Sequence, residues 1–357
     1  MNKVFFAPVE DGENNSGLPD RVEELFDSGG FADIIGDGRL VAIKMHFGEK
    51  GSDGYIRPPL VRAVVDRVKA CGARPFLTDT NTLYSGSRAN SHDHILTAFD
   101  HGFTADAVGA PVIISDGLRG QSHVIVDVPG GRHYKKVRIA SDIAAADAII
   151  VLTHVTGHLA AGYGGAIKNA GMGCASRGGK LDQHSNIIPE VIREKCTGDA
   201  VCVRWCPAGA VHIGADGKAV IDEQKCISCG QCLAVCSFGA IKYTWGRRSV
   251  ELNERIAEHA CGALKHKEGR AAFFNFIVKL TRDCDCIGKK QKALIPDIGI
   301  VGGRDIVAVE KATIDLIDRV SGKEFFREMH PDLEYMSQVT HAEALGLGST
   351  VYELVKI

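Results

Sequence analysis

Lys225-Cys226-Ile227-Ser228-Cys229-Gly230-Gln231-Cys232-Leu233-Ala234-Val235-Cys236 places four cysteines at C-x2-C-x2-C-x3-C spacing. The same pattern occurs 30 residues upstream, where Lys195-Cys196-Thr197-Gly198-Asp199-Ala200-Val201-Cys202-Val203-Arg204-Trp205-Cys206 aligns without gaps. The register continues to Val211 and Ile241, with Gly209-Ala210 on Gly239-Ala240. Cys196, Cys202 and Cys206 fall on Cys226, Cys232 and Cys236, whereas Asp199 falls on Cys229 and Pro207 on Ser237. Three closely spaced thiolates can wrap one iron–sulfur cluster while a fourth reaches towards a second. Zinc takes four ligands per site, and seven thiols at this spacing do not divide that way.

The full run resembles the bacterial two-cluster ferredoxin family, a likeness confined to about 50 residues. That resemblance implies one cluster held by Cys206, Cys226, Cys229 and Cys232, and another by Cys196, Cys202, Cys236 and Asp199. Both would be 4Fe-4S clusters, unless the Asp199 site is 3Fe-4S. A carboxylate is a harder ligand than a thiolate, so Asp199 implies either an Asp-ligated iron or a corner without one. Alternatively, Asp199 is a surface residue beside a degraded cluster.

Outward from this window the chain alternates strand-like and helix-like segments. Val41–Phe47 and Phe76–Asp79 read as strands. Between them Leu60, Val61, Val64, Val65 and Val68 form an apolar stripe on a helix that opens with prolines and ends before Gly72. Short β-branched runs between 111 and 139 suggest an antiparallel portion, and 157–179 is rich enough in glycine to read as a loop. Beyond the cysteines the alternation resumes, with a helix over 305–320 and a last strand over 351–357. The expected architecture is a mixed-sheet α/β domain with an inserted α+β two-cluster ferredoxin-like module: residues 1–190, the insertion 191–246, then 247–357.

The 357 residues are 45% hydrophobic and 24% charged with a formal charge of -2, a balance that points away from nucleic acid and anionic membranes as partners. No apolar run has the length of a bilayer-spanning helix, and the first strand-like stretch is too short for a signal-peptide core; the expected location is cytoplasmic. Of 12 cysteines, seven lie in one 41-residue window at metal-ligand spacing, which favours ligands over disulfides.

Several segments outside the window carry a wider resemblance: Lys44-Met45-His46-Phe47-Gly48-Glu49, Thr78 to Tyr84, Gly157-His158 through Gly173-Cys174, Asp283-Cys284-Asp285-Cys286 and Pro296 to Glu310. Together they are similar to the iron–sulfur-centre proteins built on the domain of unknown function DUF362, over nearly the whole chain. That family implies no particular reaction. More distantly, His158-x-x-Ala161-Gly162-x-Gly164-Gly165-x-x-Lys168 resembles the nickel-pincer lactate racemases, where the histidine is an active-site residue and the lysine tethers the cofactor. His184 stands near the place of another of their active-site histidines, but Gly164 replaces a serine. The likeness implies the position of a pocket, with His158, Lys168 and His184 as catalytic candidates.

Independently, Gly162, Gly164 and Gly165 would let backbone amides approach an anion or small-molecule cofactor, with Lys168 adding charge. Cys284 and Cys286 could chelate a further metal, act as a redox pair or be structural thiols, and Cys174 could join them. Asp79, Asn81 and Arg88 follow a strand and could line the same crevice. The functional expectation is an iron–sulfur protein, a possible oxidoreductase of unknown substrate or its electron-transfer component. Two clusters would feed a site in the α/β domain and work with a redox partner protein or a small-molecule substrate. An electron carrier, a redox sensor and a metal- or cofactor-assembly protein are the alternatives. The oligomeric state is not implied.

Overall fold

The computed structural model describes residues 2–9, 17–84, 86–184, 188–206, 208–226, 231–242 and 249–357. In chain order the strands are β1 (Asn2–Pro8), β2 (Leu40–Lys44), β3 (Arg74–Asp79), β4 (Val112–Ile114), β5 (His123–Asp127) and β6 (Lys136–Ala140). They continue with β7 (Ala148–His158), β8 (Gly162–Gly164), β9 (Glu190–Val191), β10 (Val211–Ile213), β11 (Ala219–Ile221) and β12 (Ile241–Lys242). The last three are β13 (Ala271–Thr281), β14 (Gly299–Gly303) and β15 (Tyr352–Lys356).

A nine-stranded mixed sheet in the order β15-β1-β14-β13-β7-β2-β3-β4, with β8 folded back onto β7, confirms the α/β class. Strands β13, β7, β2, β3 and β4 are mutually parallel, and β14 is antiparallel to both β13 and β1. The expected antiparallel run near 111–139 resolves into two parts: β4 joins the main sheet in parallel, and β5–β6 form a separate hairpin. Apolar side chains fill both faces of the sheet. Val4, Phe273 and Val301 point to one core cluster, and Ala7, Ile43 and Phe274 to the other, as expected for a sheet covered by helices on both sides.

The glycine-rich stretch is not a loop. It forms β8 and two helices, Ala166–Cys174 and Arg177–His184. Its glycines serve close packing instead. A Cβ at Gly171 would lie 2.1 Å from the Ile256 carbonyl oxygen, and one at Gly179 would lie 2.5 Å from that of Arg138. The Ser249–Leu264 helix can therefore approach the Ala166–Cys174 helix backbone to backbone.

The cysteine repeat is visible in the backbone. Ile192 N–H donates to the Ala240 carbonyl and Asp222 N–H to the Ala210 carbonyl, both at 2.7 Å. Gly209 and Gly239, at equivalent positions, share φ +59. The amide of Ala210 donates to Cys206 Sγ at 3.2 Å and that of Ala240 to Cys236 Sγ at 3.3 Å.

Candidate functional site

In a parallel sheet the carboxyl ends of neighbouring strands share one edge, and ligands gather beyond it. Here that edge carries Lys44 at the end of β2 and His46 just beyond it, Asp79 at the end of β3 and Thr80 after it, Thr156 and His158 on β7, and Cys284 and Cys286 after β13. They line a cavity of about 970 Å³, ample for a small molecule. Lys168, Gly164, Gly165 and His184 also line it, whereas Gly162 packs against Leu333 and Tyr335.

A buried ionic network forms the floor. Lys44 Nζ lies 3.0 Å from Asp79 Oδ1 and donates to Asn169 Oδ1 at 2.6 Å. The other Asp79 oxygen takes Arg88 Nη1 at 3.2 Å. Burial pushes the Asp79 pKa up, but Lys44, His94 and His46 hold it well below the usual carboxylate range. Arg88 further meets Glu49 at 3.4 Å and donates to the Tyr84 hydroxyl at 2.6 Å. Asn81 turns away to Asp116. Lys180 donates to the Thr80 hydroxyl and to the Ala175 carbonyl, and burial lowers its pKa to about 8.

The amides expected to cradle an anion are partly committed. Ile167 N–H, in the first turn of the Ala166–Cys174 helix, donates to Glu310 Oε1 at 2.6 Å, and Tyr163 donates to the other oxygen. Gly165 is glycine because a Cβ would meet Glu310 Oε2 at 2.2 Å. Burial raises the Glu310 pKa to about 7.

His154 and His158, four apart on β7, have different partners. The register of β13 slips between Phe276 and Thr281, with Lys279 at φ +53, which leaves carbonyls out of the ladder. His154 Nε2 faces two of them, Val278 at 3.0 Å and Lys279 at 3.2 Å, and Nδ1 donates to Asp285 Oδ2 at 2.8 Å. Burial pulls its pKa down, but Asp285 and these carbonyls raise it above the usual imidazole value. His154 thus fixes the Asp283-Cys284-Asp285-Cys286 loop from behind.

His158, by contrast, accepts at Nδ1 from the amides of Ala161 at 2.9 Å and Ala160 at 3.3 Å, and burial holds it neutral. A neutral ring whose Nδ1 accepts carries its proton on Nε2. Its ligand nitrogen and the sulfurs of Cys284 and Cys286 lie within 4.8 Å of one another. Lys168 Nζ stands 3.8 Å from Cys284 Sγ. The Cys286 thiol donates to Cys284 and, with Lys168, lowers the Cys284 pKa to about 6 against the effect of burial; that of Cys286 rises correspondingly. Burial, Lys168 and Lys180 bring the His184 pKa down to about 3. Cys174 does not join the pair: it is buried in the apolar core, where burial raises its pKa to about 11. The half-buried Cys261 packs against that core and Cys71 against the core on the other face of the sheet.

In the repeat, Cys196, Cys202 and Cys232 are buried and Cys206, Cys226 and Cys236 half-buried; Cys229 lies outside the described residues. Burial raises the Cys202 pKa, and the charged groups that add to it are Cys236, Asp199 and Cys196. Asp199 is exposed, and its Oδ1 accepts from Val201 N–H at 3.2 Å. Among the described residues no cysteine is in a disulfide. Amide donors reach the sulfurs of Cys196, Cys206 and Cys236. This donor set suits thiolates on iron, whose charge such N–H groups offset.

The fold and site define an α/β protein with a cavity at the strand carboxyl ends, lined by titratable side chains within a largely apolar wall, and a cysteine-rich module beside it. Residues 41–315 match the family described as domain of unknown function (DUF362), and the chain belongs to that family. Shorter likenesses run to ferredoxin-type proteins. Identity is 37% over 62 residues with the probable anaerobic dimethyl sulfoxide reductase chain YnfG of Escherichia coli, covering 17% of this chain and 30% of that protein. It is 49% over 53 residues with a ferredoxin 7Fe of Hydrogenibacillus schlegelii, covering 14% of this chain and 67% of the ferredoxin. With the formate dehydrogenase iron-sulfur subunit of Wolinella succinogenes it is 44% over 45 residues, and the chain spans only 22% of that protein's length. The lactate racemase apoprotein of Thermoanaerobacterium thermosaccharolyticum aligns over 78% of this chain and 51% of its own, with 14% identity and a TM-score of 0.38. Among the described residues no helix is long and apolar enough to cross a membrane.

Proposed function

We propose that this is a redox protein that carries iron–sulfur clusters in residues 191–246, a unit inserted into the α/β domain, and serves a small anionic substrate in the cavity. One observation carries the reading. Leu233, between the ligand candidates Cys232 and Cys236, packs on Leu83 and Leu181, and Leu83 is part of the cavity wall. A cluster held there would stand next to the substrate chamber.

Cys206, Cys226, Cys229 and Cys232 would hold a four-iron cluster, and Cys196, Cys202 and Cys236 a three-iron cluster whose open corner faces Asp199. When bound, such clusters supply one-electron transfer. The named iron–sulfur and reductase relatives support this role, as does the seven-iron name of the ferredoxin, since seven irons equal a four-iron plus a three-iron cluster. In the cavity Lys168 and Lys180 supply positive charge and His158 an N–H donor, while Lys44 and Arg88 are neutralised by Asp79 and Glu49. A redox partner protein would deliver or remove the electrons.

Anaerobic purification with iron and sulfide analysis tests the reading. About seven irons per chain are expected, with a three-iron electron paramagnetic resonance signal that Asp199→Cys converts to a four-iron one. A chain without sulfide would overturn it. An unchanged spectrum in Asp199→Cys would remove Asp199 from the cluster. Electron transfer unaffected by Lys168→Ala would favour a plain carrier.

A further inference from the structure

We propose that Cys284 and Cys286 form a dithiol–disulfide couple that exchanges with an anionic disulfide in the cavity, and that His158 is its hydrogen-bond donor, not a metal ligand. This rests on the cavity being the redox site, but it does not require the clusters.

The geometry sets two unlike thiols side by side. The amide of Cys286 donates to Cys284 Sγ at 3.4 Å, and the Lys168 ammonium approaches the same sulfur from the cavity side. Cys284 is therefore the thiolate and Cys286 the thiol held in reserve. Behind them, His154 fixes the intervening Asp285, so the two sulfurs stay together when either reacts.

A His-Cys-Cys set would ordinarily suggest a metal. A metal-bound histidine, however, almost always donates its other ring N–H to an acceptor. His158 shows the reverse: two backbone amides occupy Nδ1 as donors, so Nε2 keeps its proton and offers no lone pair. Ligation at Nε2 would require breaking both bonds or creating an imidazolate. A neutral ring within 4.8 Å of the two sulfurs, with only Nε2 left to donate, is instead suited to stabilising a thiolate.

The exchange balances without any other reactant. The Cys284 thiolate attacks one sulfur of the substrate disulfide; a Cys284–substrate bond forms and the substrate S–S bond breaks, releasing the first thiolate. Cys286 then attacks Cys284 sulfur and gives its proton to the second departing sulfur. The products are a Cys284–Cys286 disulfide, one substrate thiolate and one substrate thiol, two electrons having passed from the dithiol. Lys180, and Lys168 once the Cys284 thiolate has reacted, supply positive charge that favours disulfides carrying carboxylates.

Trypsin cleavage after Arg282 and Lys289 would release Asp283–Lys289, which contains these two cysteines and no cluster candidates. Anaerobic protein is mixed with glutathione disulfide at neutral pH, quenched in acid, blocked with N-ethylmaleimide and digested. The expected peptide is an internal disulfide, lighter by two hydrogens and free of glutathione. Cys286→Ser should trap glutathione on Cys284, whereas Cys284→Ser should leave Cys286 largely unmodified. Lys168→Gln should slow the reaction on the order of tenfold, and Lys168→Arg should restore it. No adduct in Cys286→Ser, equal reactivity of the two thiols, or protection removed only by a metal chelator would overturn the proposal. Iron content measured on the same sample reports on the clusters separately.

Discussion

His154 shows how far a single residue's role depends on distant chain. On sequence it and His158 look alike, four apart on a strand. Its charge is set by carbonyls freed in β13, more than a hundred residues away, and by Asp285. A periodicity argument has no access to either, whereas Lys168 and His158 were legible because their motif is local. Because the folded pKa of His154 is raised, its contribution is full below the ordinary imidazole pKa and is lost as pH climbs through the raised value. His154→Gln should cost about 3 kcal/mol at mildly acidic pH, in the range for breaking a buried pair. The gap in thermal midpoint between wild type and variant should narrow as the solution becomes alkaline. A gap independent of pH would show that the ring is neutral in the folded protein. Lys44 and His46 were quoted within a recognisable segment but not assigned to the site, although their place after a parallel strand was the available signal.

At the level of elements, the glycines of 157–179 are the instructive case. Glycine density suggests a loop, yet the segment forms β8 and two helices, and Gly171 is glycine because a neighbouring backbone leaves no room for a side chain. That cause lies in the Ser249–Leu264 helix and is invisible locally. Gly171→Ala should therefore destabilise the fold even though alanine is the better helix former, since the obstacle is a backbone carbonyl that cannot rotate away. A loss of about 1–3 kcal/mol in denaturant unfolding is expected. A neutral or stabilising result would mean that the two helices can separate at little cost.

For the molecule as a whole, the cysteine repeat was legible because its spacing is short-range in sequence, and the α/β class because strand and helix periods alternate. The cavity was legible only in part, at the His158–Lys168 motif and at Asp79 and Arg88, since its walls come from both sides of the cysteine-rich segment. The contact of Leu233 with Leu83 and Leu181 is the apolar join between them. Half-buried Leu233 is expected to contribute on the order of 1–2 kcal/mol there. Leu233→Ala should speed amide hydrogen exchange across 191–242 while leaving β2, β7 and β13 protected. Faster exchange throughout the large sheet would instead show one cooperative unit.

The pairing of β7 with β13 has a consequence for synthesis. Chains emerge N-terminal end first, and domains fold as their segments become available. β2, β3 and β7 leave the ribosome before the cysteine-rich repeat, while β13 and the loop bearing Cys284 and Cys286 follow it. The repeat is therefore synthesised before the chamber can close and before the two later thiols emerge. Any metal taken up by the repeat at that stage would meet its cysteines before those of the cavity.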